Sequence, residues 1–461
     1  MVLASLIDRQ DELRRLNQAF RDASRAHPQL VVVWGRRRSG KTFLLSHFLQ
    51  DKKGVLFGAT QQSQAVELGR FHEALRRDLG NEVADLGGGG FSSWEQALRF
   101  TAALARKTPL AIVLDEVPYL DESSPGFPSM VQHFWDHLPT GTKLMLVLTG
   151  SAVSTVEAFM GSGAPLRGRP TLRLRIEPVD LWAARDFLPR LAPDRLIEAY
   201  AACGGYPLHL LAWDQTATTD KNLLHLAGSP GGILLEDAAS ILREELPATG
   251  GYPRVLAAIG RGLTRYSEIA SAAAQRIERP LTVLSEAGFV EKAVPLGAPK
   301  GARFDYAILD PYLRFWFSVL YADRGLIEGG QGRAVLLRAK PRFETHVGRV
   351  FEDLARAHAR RLVREGEFPE DVVIGRWWAS SGPPCEIDVL GLRGKRTYLV
   401  GEAKWQRKPL GTRELESLRR KIVRAPHPED EPVYALWSRA GAVEEVRDVA
   451  RVFDLKDLLF S

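Results

Sequence analysis

The stretch "VVVWGRRRSGKTFLLSHFL", residues 31 to 49, decides the fold of the N-terminal half. An apolar run, three valines and Trp34, ends at Gly35, and the spacing G-x-x-x-x-G-K-T then leads into an amphipathic segment. Strand, glycine loop and helix in that order make a phosphate-binding loop. Gly35 and Gly40 let the backbone curl, so that the loop from Arg36 through Ser39 and the following helix N-terminus can surround phosphates. Lys41 adds positive charge at the β- and γ-phosphates, and Thr42 offers a hydroxyl to Mg²⁺. A glycine turn before a helix would explain the glycines but not Lys–Thr at this spacing. The cofactors expected here are ATP and Mg²⁺.

Further along, "LAIVLDEVPYL" (110–120) is a buried strand ending in two carboxylates. Asp115 is placed to hold Mg²⁺, and Glu116 to polarise the attacking water, a pairing that implies hydrolysis. The next apolar run, "KLMLVLTGS" (143–151), ends in Thr149 and Ser151, either of which can sense a γ-phosphate; N-capping is the plainer role of Ser151. "LRGRP" offers Arg167 and Arg169 as finger candidates, and Arg9 lies in an N-terminal segment near the nucleotide. With "LVVVWG" (30–35) and "VLFGA" (55–59) these runs alternate with amphipathic stretches such as 10–24, the pattern of a parallel α/β sheet.

The chain has 461 residues, more than one ordinary core holds. It is 45% hydrophobic and 26% charged, as soluble globular proteins are. No apolar run approaches the roughly 20 residues needed to span a bilayer, and the first residues do not read as a signal peptide. Only two cysteines occur, Cys203 and Cys385, in different expected domains. That excludes a disulfide framework and points to the cytoplasm. The net charge of +6 permits a nucleic-acid partner without requiring one.

From about residue 178 the strand runs give way to helical stretches, read as a lid. Residues 250–321 spell helix, helix, helix, strand, strand and a further aromatic-rich helix, with Ile269, Leu281, Leu284 and Ala287 facing inward. That order is the outline of a winged helix, although its third helix exposes only Arg279, Thr282 and Ser285, few basic groups for reading bases. The glycine-rich "IEGGQGRA" (327–334) reads as a joint to the last domain.

Taken in order, "LIDRQDELRRL", "GRRRSGKT", "VLDEVPYL", "LTGSAVS", "LRGRP" and "CGGYPLHL" resemble the AAA+-like ATPases found mainly in archaea and bacteria. "FDYAILDPYLRFWFSVLY" followed by "RVFEDLARAHARRL" resembles the subgroup fused to the DUF234 region. The resemblance spans essentially the whole chain. It implies an α/β multidomain protein: a P-loop, AAA+-like core (1–177), a helical lid (178–248), a winged helix (249–326) and a restriction-endonuclease-like α/β domain (335–461).

In that last domain "CEIDVLGLRGKRTYLVGEAKW" (385–405) carries charges inside strand-like runs. Side chains alternate along a strand, so Glu386 shares a face with Asp388, and Glu402 with Lys404. On neighbouring strands Asp388, Glu402 and Lys404 would converge, and a hard cation held by Asp388 and Glu402 would offset their burial. The segment is similar to the PD-(D/E)xK nucleases, although the proline that usually precedes the aspartate is absent. That resemblance implies Mg²⁺, or Mn²⁺, with Asp388, Glu402 and Lys404 catalytic. It also implies a helical glutamate, Glu352 ahead of Glu344; Gln406 beside the motif can assist. The expected partners are ATP and DNA, with no membrane and a homo-oligomer left open. The rival reading is a nucleotide-controlled switch or scaffold that binds without cutting.

Overall fold

Four of the apolar runs become β1 (Gln29–Trp34), β2 (Gly54–Gly58), β3 (Leu110–Asp115) and β4 (Leu144–Gly150). β3 and β4 are buried along their whole length, as strands covered on both faces must be. The computed structural model describes residues 6–83, 90–150, 159–161, 163–247, 249–299, 301–379 and 383–460. Within them the chain divides into two units, Met1–Val179 with Arg243–Pro247, and Asp180–Leu242 with Ala248–Ser461.

The first unit is a five-stranded parallel sheet in the order β2-β3-β4-β1-β5. Its fifth strand, β5 (Leu172–Arg175), lies inside what the sequence presents as a basic cluster. Helices α1 (Gln10–Ser24), α2 (Lys41–Leu49), α3 (Gln64–Leu79), α4 (Trp94–Lys107), α5 (Val117–Ser123) and α6 (Phe127–Asp136) accompany the sheet. Leu16, Ala19 and Ala23 of α1 pack with Leu44 and Phe48 of α2 and with Val31 and Val33 of β1. Because β1 and β3 flank β4 in parallel, the loop after β1 and the carboxylates after β3 emerge at the same sheet edge. That topology builds the first site.

The second unit begins with helices α7 (Leu181–Phe187), α8 (Pro193–Cys203), α9 (Pro207–Ala212), α10 (Thr219–Leu226) and α11 (Ile233–Glu245), the last of which ends among residues of the first unit. Three helices follow, α12 (Tyr252–Gly260), α13 (Tyr266–Ala273) and α14 (Glu278–Glu286), and then the antiparallel hairpin β6 (Val290–Ala293) and β7 (Asp305–Ile308). Ile269, Leu281, Leu284 and Ala287 are buried, and Arg279 and Thr282 are exposed. After α15 (Pro311–Phe315) the backbone stays mostly helical through the expected joint. Asp323 and Gln331 depart from helical angles, and Gly330, at φ 83°, turns left-handed just before the 33-residue α16 (Gly332–Arg364).

The joint reading therefore gives way to a packed one. A Cβ placed on Gly332 would lie 1.7 Å from the Gly228 carbonyl oxygen, so the missing side chain serves close approach, not flexibility. α16 buries Phe343, Val347, Val350, Leu354 and Leu362 along one stripe, and His346 Nε2 lies 2.8 Å from the Ala201 carbonyl of α8. The C-terminal sheet runs β12-β11-β10-β9-β8: β8 (Val372–Trp378), β9 (Glu386–Arg393) and β10 (Arg396–Lys404) pair antiparallel, and β10, β11 (Pro428–Ser438) and β12 (Arg451–Phe453) pair parallel. α17 (Thr412–Ile422) covers it through Leu415, Leu418 and Ile422. No helix among the described residues is long and apolar enough to cross a membrane.

Candidate functional site

The phosphate loop bends where its sequence allows. Gly40 adopts φ 92° at the N-terminus of α2, and a Cβ on Gly35 would come 2.1 Å from the Ile176 carbonyl oxygen. Lys41 is buried and donates to the carbonyl oxygens of Gly35 and Arg36 at 2.8 and 3.1 Å. Burial pulls its pKa below the ordinary lysine value, against the Glu116, Asp115 and Glu245 charges that favour its proton. Thr42 Oγ1 donates to Asp115 Oδ2 at 2.6 Å, so the two expected Mg²⁺ ligands already meet. Ser39 Oγ is buried without a hydrogen-bond partner among the described residues. Arg36 is buried in the same loop.

Glu116 follows β3 in the left-handed region, at φ 57°, and burial raises its pKa above the usual carboxylate value. Thr149 is fully buried and donates to Asp115 Oδ1, so it holds the carboxylate. Ser151 lies outside the described residues. Arg169 forks onto Asp136 with two 2.8 Å hydrogen bonds, and Arg167 is exposed. Arg9 reaches the loop, donating to the Ser39 carbonyl at 3.4 Å and to the Glu177 carbonyl. Nothing local in the sequence announces Glu244 and Glu245. The Arg37 backbone N–H donates to Glu245 Oε1 at 3.0 Å, and the Arg37 guanidinium pairs with Glu244.

In the second unit Glu352 of α16, Glu386 and Asp388 of β9, and Glu402 and Lys404 of β10 line one cavity. Oxygens of Glu352, Glu386 and Asp388 lie within 4.8 Å of one another. Asp388 and Glu402 are each 6% exposed. Asp388 Oδ2 accepts the Ala403 N–H at 3.0 Å, which ties β9 to the next strand at the motif. Burial, and then the Asp388 charge, push the Glu352 carboxyl up; burial and then Glu402 do the same to Asp388.

The grouping differs from the expected Asp388–Glu402 pair. Glu402 is taken by two lysines, Lys404 Nζ on Oε1 and Lys421 Nζ of α17 on Oε2, each at 2.5 Å. Burial works against the charge of Lys404, but Glu402 and Asp388 hold its pKa above the ordinary value. Glu386, paired with Arg376, completes the close triplet instead. Its signal was the period of two with Asp388. Lys421 had none, being brought in by the docking of α17. Glu344 is exposed and outside this cavity, and Gln406 donates to the Lys408 carbonyl at 3.2 Å. Three carboxylates so close, Asp388 buried and only Glu386 paired with a cation among the described residues, suit a hard divalent ion such as Mg²⁺ or Mn²⁺.

Two family models match the chain. Residues 6–212 match an ATPase domain predominantly from Archaea, and residues 316–418 match DUF234, archaeal and bacterial proteins of unknown function. The chain carries an archaeal-type ATPase domain followed by a DUF234 region. The ATPase domain takes in the phosphate loop, Asp115 and Glu116. The DUF234 region takes in Glu352, Glu386, Asp388, Glu402 and Lys404, and stops three residues short of Lys421. The uncharacterized protein MJECL04 of Methanocaldococcus jannaschii is 26% identical over 467 residues, covering 98% of this chain and 99% of that one. Among solved structures, the Walker-type ATPase PABY2304 of Pyrococcus abyssi aligns with 68% of this chain and 96% of its own, at 20% identity and a TM-score of 0.49. The ORC2 protein of Aeropyrum pernix aligns with 73% and 97%, at 12% identity and the same score.

Proposed function

We propose that the chain is an ATP-hydrolysing enzyme whose DUF234 region is a metal-dependent nuclease that cleaves DNA under control of the nucleotide state. What carries the reading is the convergence of Glu352, Glu386, Asp388, Glu402 and Lys404, drawn from three elements, on one cavity. A structural ion-pair network has no need of three carboxylates within 4.8 Å of one another.

At the ATPase site Thr42 and Asp115 would hold Mg²⁺, which supplies charge to the phosphates. Lys41 exchanges its two loop carbonyls for phosphate oxygens. Glu116, its pKa raised by burial, is suited to take the proton of the attacking water. Thr149 and Arg9 position Asp115 and the loop, and Arg169 is the finger candidate only if it leaves Asp136.

At the second site Glu352, Glu386 and Asp388 would hold Mg²⁺ or Mn²⁺, which supplies charge to the phosphoryl group and acidifies water. Lys404 keeps its proton and so acts as a donor, orienting the nucleophile or meeting the charge that develops on phosphorus-bound oxygen. Glu402 restrains Lys404 and Lys421 on the cavity wall until substrate competes for them. The winged-helix reading of residues 249–326 and a cytoplasmic location belong to the same proposal.

The capture of Glu402 by two lysines favours one alternative, a switch or scaffold that binds polynucleotide and cuts nothing. Cleavage of single-stranded, duplex and branched DNA with Mg²⁺ or Mn²⁺, with and without ATP, separates the two. Glu402→Ala and Lys404→Ala should lose cleavage by at least about 100-fold, and Glu116→Gln should bind ATP without hydrolysing it. DNA-stimulated ATP hydrolysis without cleavage of any substrate would sink the nuclease reading.

A further inference from the structure

The cavity of the carboxylates continues past them. It measures about 910 Å³, and its walls differ in chemistry. One wall is a face of α16 on which Arg349, Glu352, Arg356 and Arg360 recur at three- or four-residue spacing. Arg356 is engaged, pairing with Asp353 and donating to the Asp388 carbonyl at 2.8 Å. Arg349 and Arg360 have no ion-pair partner among the described residues. Counted along the helix, Arg349 precedes Glu352 by about 4.5 Å and Arg360 follows it by about 12 Å, at roughly 1.5 Å per residue. The two cations bracket the carboxylates.

A second wall is the β6–β7 hairpin and its flanks. Val294 and Leu309 line the cavity although they are 51% and 46% exposed, and Tyr306 lies between them in the lining. The hairpin does not stand free. The Leu296 N–H donates to the Arg376 carbonyl of β8 at 2.9 Å, and a Cβ on Gly375 would come 3.1 Å from Leu296 Cβ. The segment leaving β6 is thus fixed to the sheet that bears the carboxylates.

Arginines on one side and, beside the Glu291 and Lys292 of β6, the open apolar surface of Val294 and Leu309 on the other match a strand whose bases are unpaired. A duplex turns its phosphates outward and stacks its bases inside, so it has nothing to offer the apolar wall. An unpaired strand presents both at once. We propose that this cleft binds a single-stranded polynucleotide, its phosphates on Arg349 and Arg360 and its bases against the hairpin. The proposal rests on the nuclease reading and narrows its substrate to an unpaired strand or a frayed end.

The test uses the full chain with Ca²⁺ in place of Mg²⁺ and fluorescein-labelled 15-residue single strands of DNA and RNA beside a blunt hairpin duplex. Anisotropy should show single strands bound at least about tenfold tighter than the duplex. Arg349→Ala/Arg360→Ala should weaken single-strand binding about 25-fold at 0.1 M salt and lower the salt slope by about 1.4, at roughly 0.7 per contact. Val294→Asp, on an exposed site, should weaken the single strand and leave the duplex unchanged. RNA bound as well as DNA supports the cleft and changes only the sugar. Equal affinity for duplex and single strand, or an unchanged salt slope in the double variant, overturns the proposal. The nuclease reading is judged apart, by cleavage in Glu402→Ala: activity equal to wild type would defeat it even if single strands still bind. No binding of any strand overturns the cleft outright.

Discussion

Replacing Glu245 by glutamine should tighten ATP binding about tenfold. Glu245 is 3% exposed and accepts the Arg37 N–H of the phosphate loop at 3.0 Å. Phosphate loops aim such amides at anions, so this carboxylate holds a donor that a nucleotide would use. A hydrogen bond from an amide to a carboxylate is worth about 1.5–3 kcal/mol net, and one to a neutral carbonyl about 0.5–1.5. Glutamine keeps the size and one acceptor but gives up the difference, roughly 1–1.5 kcal/mol, which corresponds to about tenfold in the dissociation constant. One effect opposes this. The Glu245 charge also favours the Lys41 proton, but it ranks behind Glu116 and Asp115 in doing so, and both remain.

The assay is displacement of a fluorescent nucleotide from the full chain at fixed Mg²⁺, with thermal melts to verify folding. Glu244→Gln is the control, since it removes the Arg37 side-chain partner and leaves the amide bond in place. It should change affinity by less than about threefold. An unchanged or weakened affinity in Glu245→Gln would refute the reasoning, because the carboxylate would then be supporting the loop and not competing for it.

Three other outcomes follow from the second unit. Glu352→Gln should raise the melting temperature of the metal-free protein at pH 7.5, by about 1–2 kcal/mol of stability, and remove the stabilisation that Mn²⁺ gives wild type; a Mn²⁺ shift that survives would count against Glu352 as a ligand. Burial depresses His346 to about 3, below the roughly 6.5 of an unfolded chain, so the unfolded state binds the extra proton between those values. Its contribution is complete above pH 6.5 and is lost as pH falls, about 2 kcal/mol between pH 7 and pH 5; urea midpoints at both values should therefore differ less in His346→Gln than in wild type. Gly332→Ala should cost about 2 kcal/mol or more because its Cβ meets the Gly228 carbonyl, whereas Gly329→Ala, with nothing within 4 Å, should be neutral or slightly stabilising in the same melts.

The parallel core was legible because its strands are buried on both faces and read as unbroken apolar runs, with the phosphate loop fixing their order. β5 was hidden by its length and edge position: "LRLR" has four residues, with arginines on the face that needs no core. The glycines at 327–334 misled because sequence cannot tell a glycine that permits bending from one that permits contact. Glu352, Asp388, Glu402 and Lys404 could be read from alternation and order. Lys421 and Glu245 could not, since each is distant in sequence from its partner and no local pattern records the contact.

The same contacts bear on why a sheet would tolerate so many charges. Glu386 has Arg376, and Glu402 has Lys404 and Lys421. Glu352 and Asp388 have no ion-pair partner among the described residues, and each is pushed toward its neutral form. If the cluster served only to brace α16 against β9, apolar side chains of similar size would do it better, because a buried carboxylate without a cation is a liability. The deficit of positive charge sits at these two residues and not at the lysine motif beside them. A scaffold gains nothing by keeping it. A protein that takes up a divalent ion there recovers the loss on binding, so the two readings part at Glu352 and Asp388.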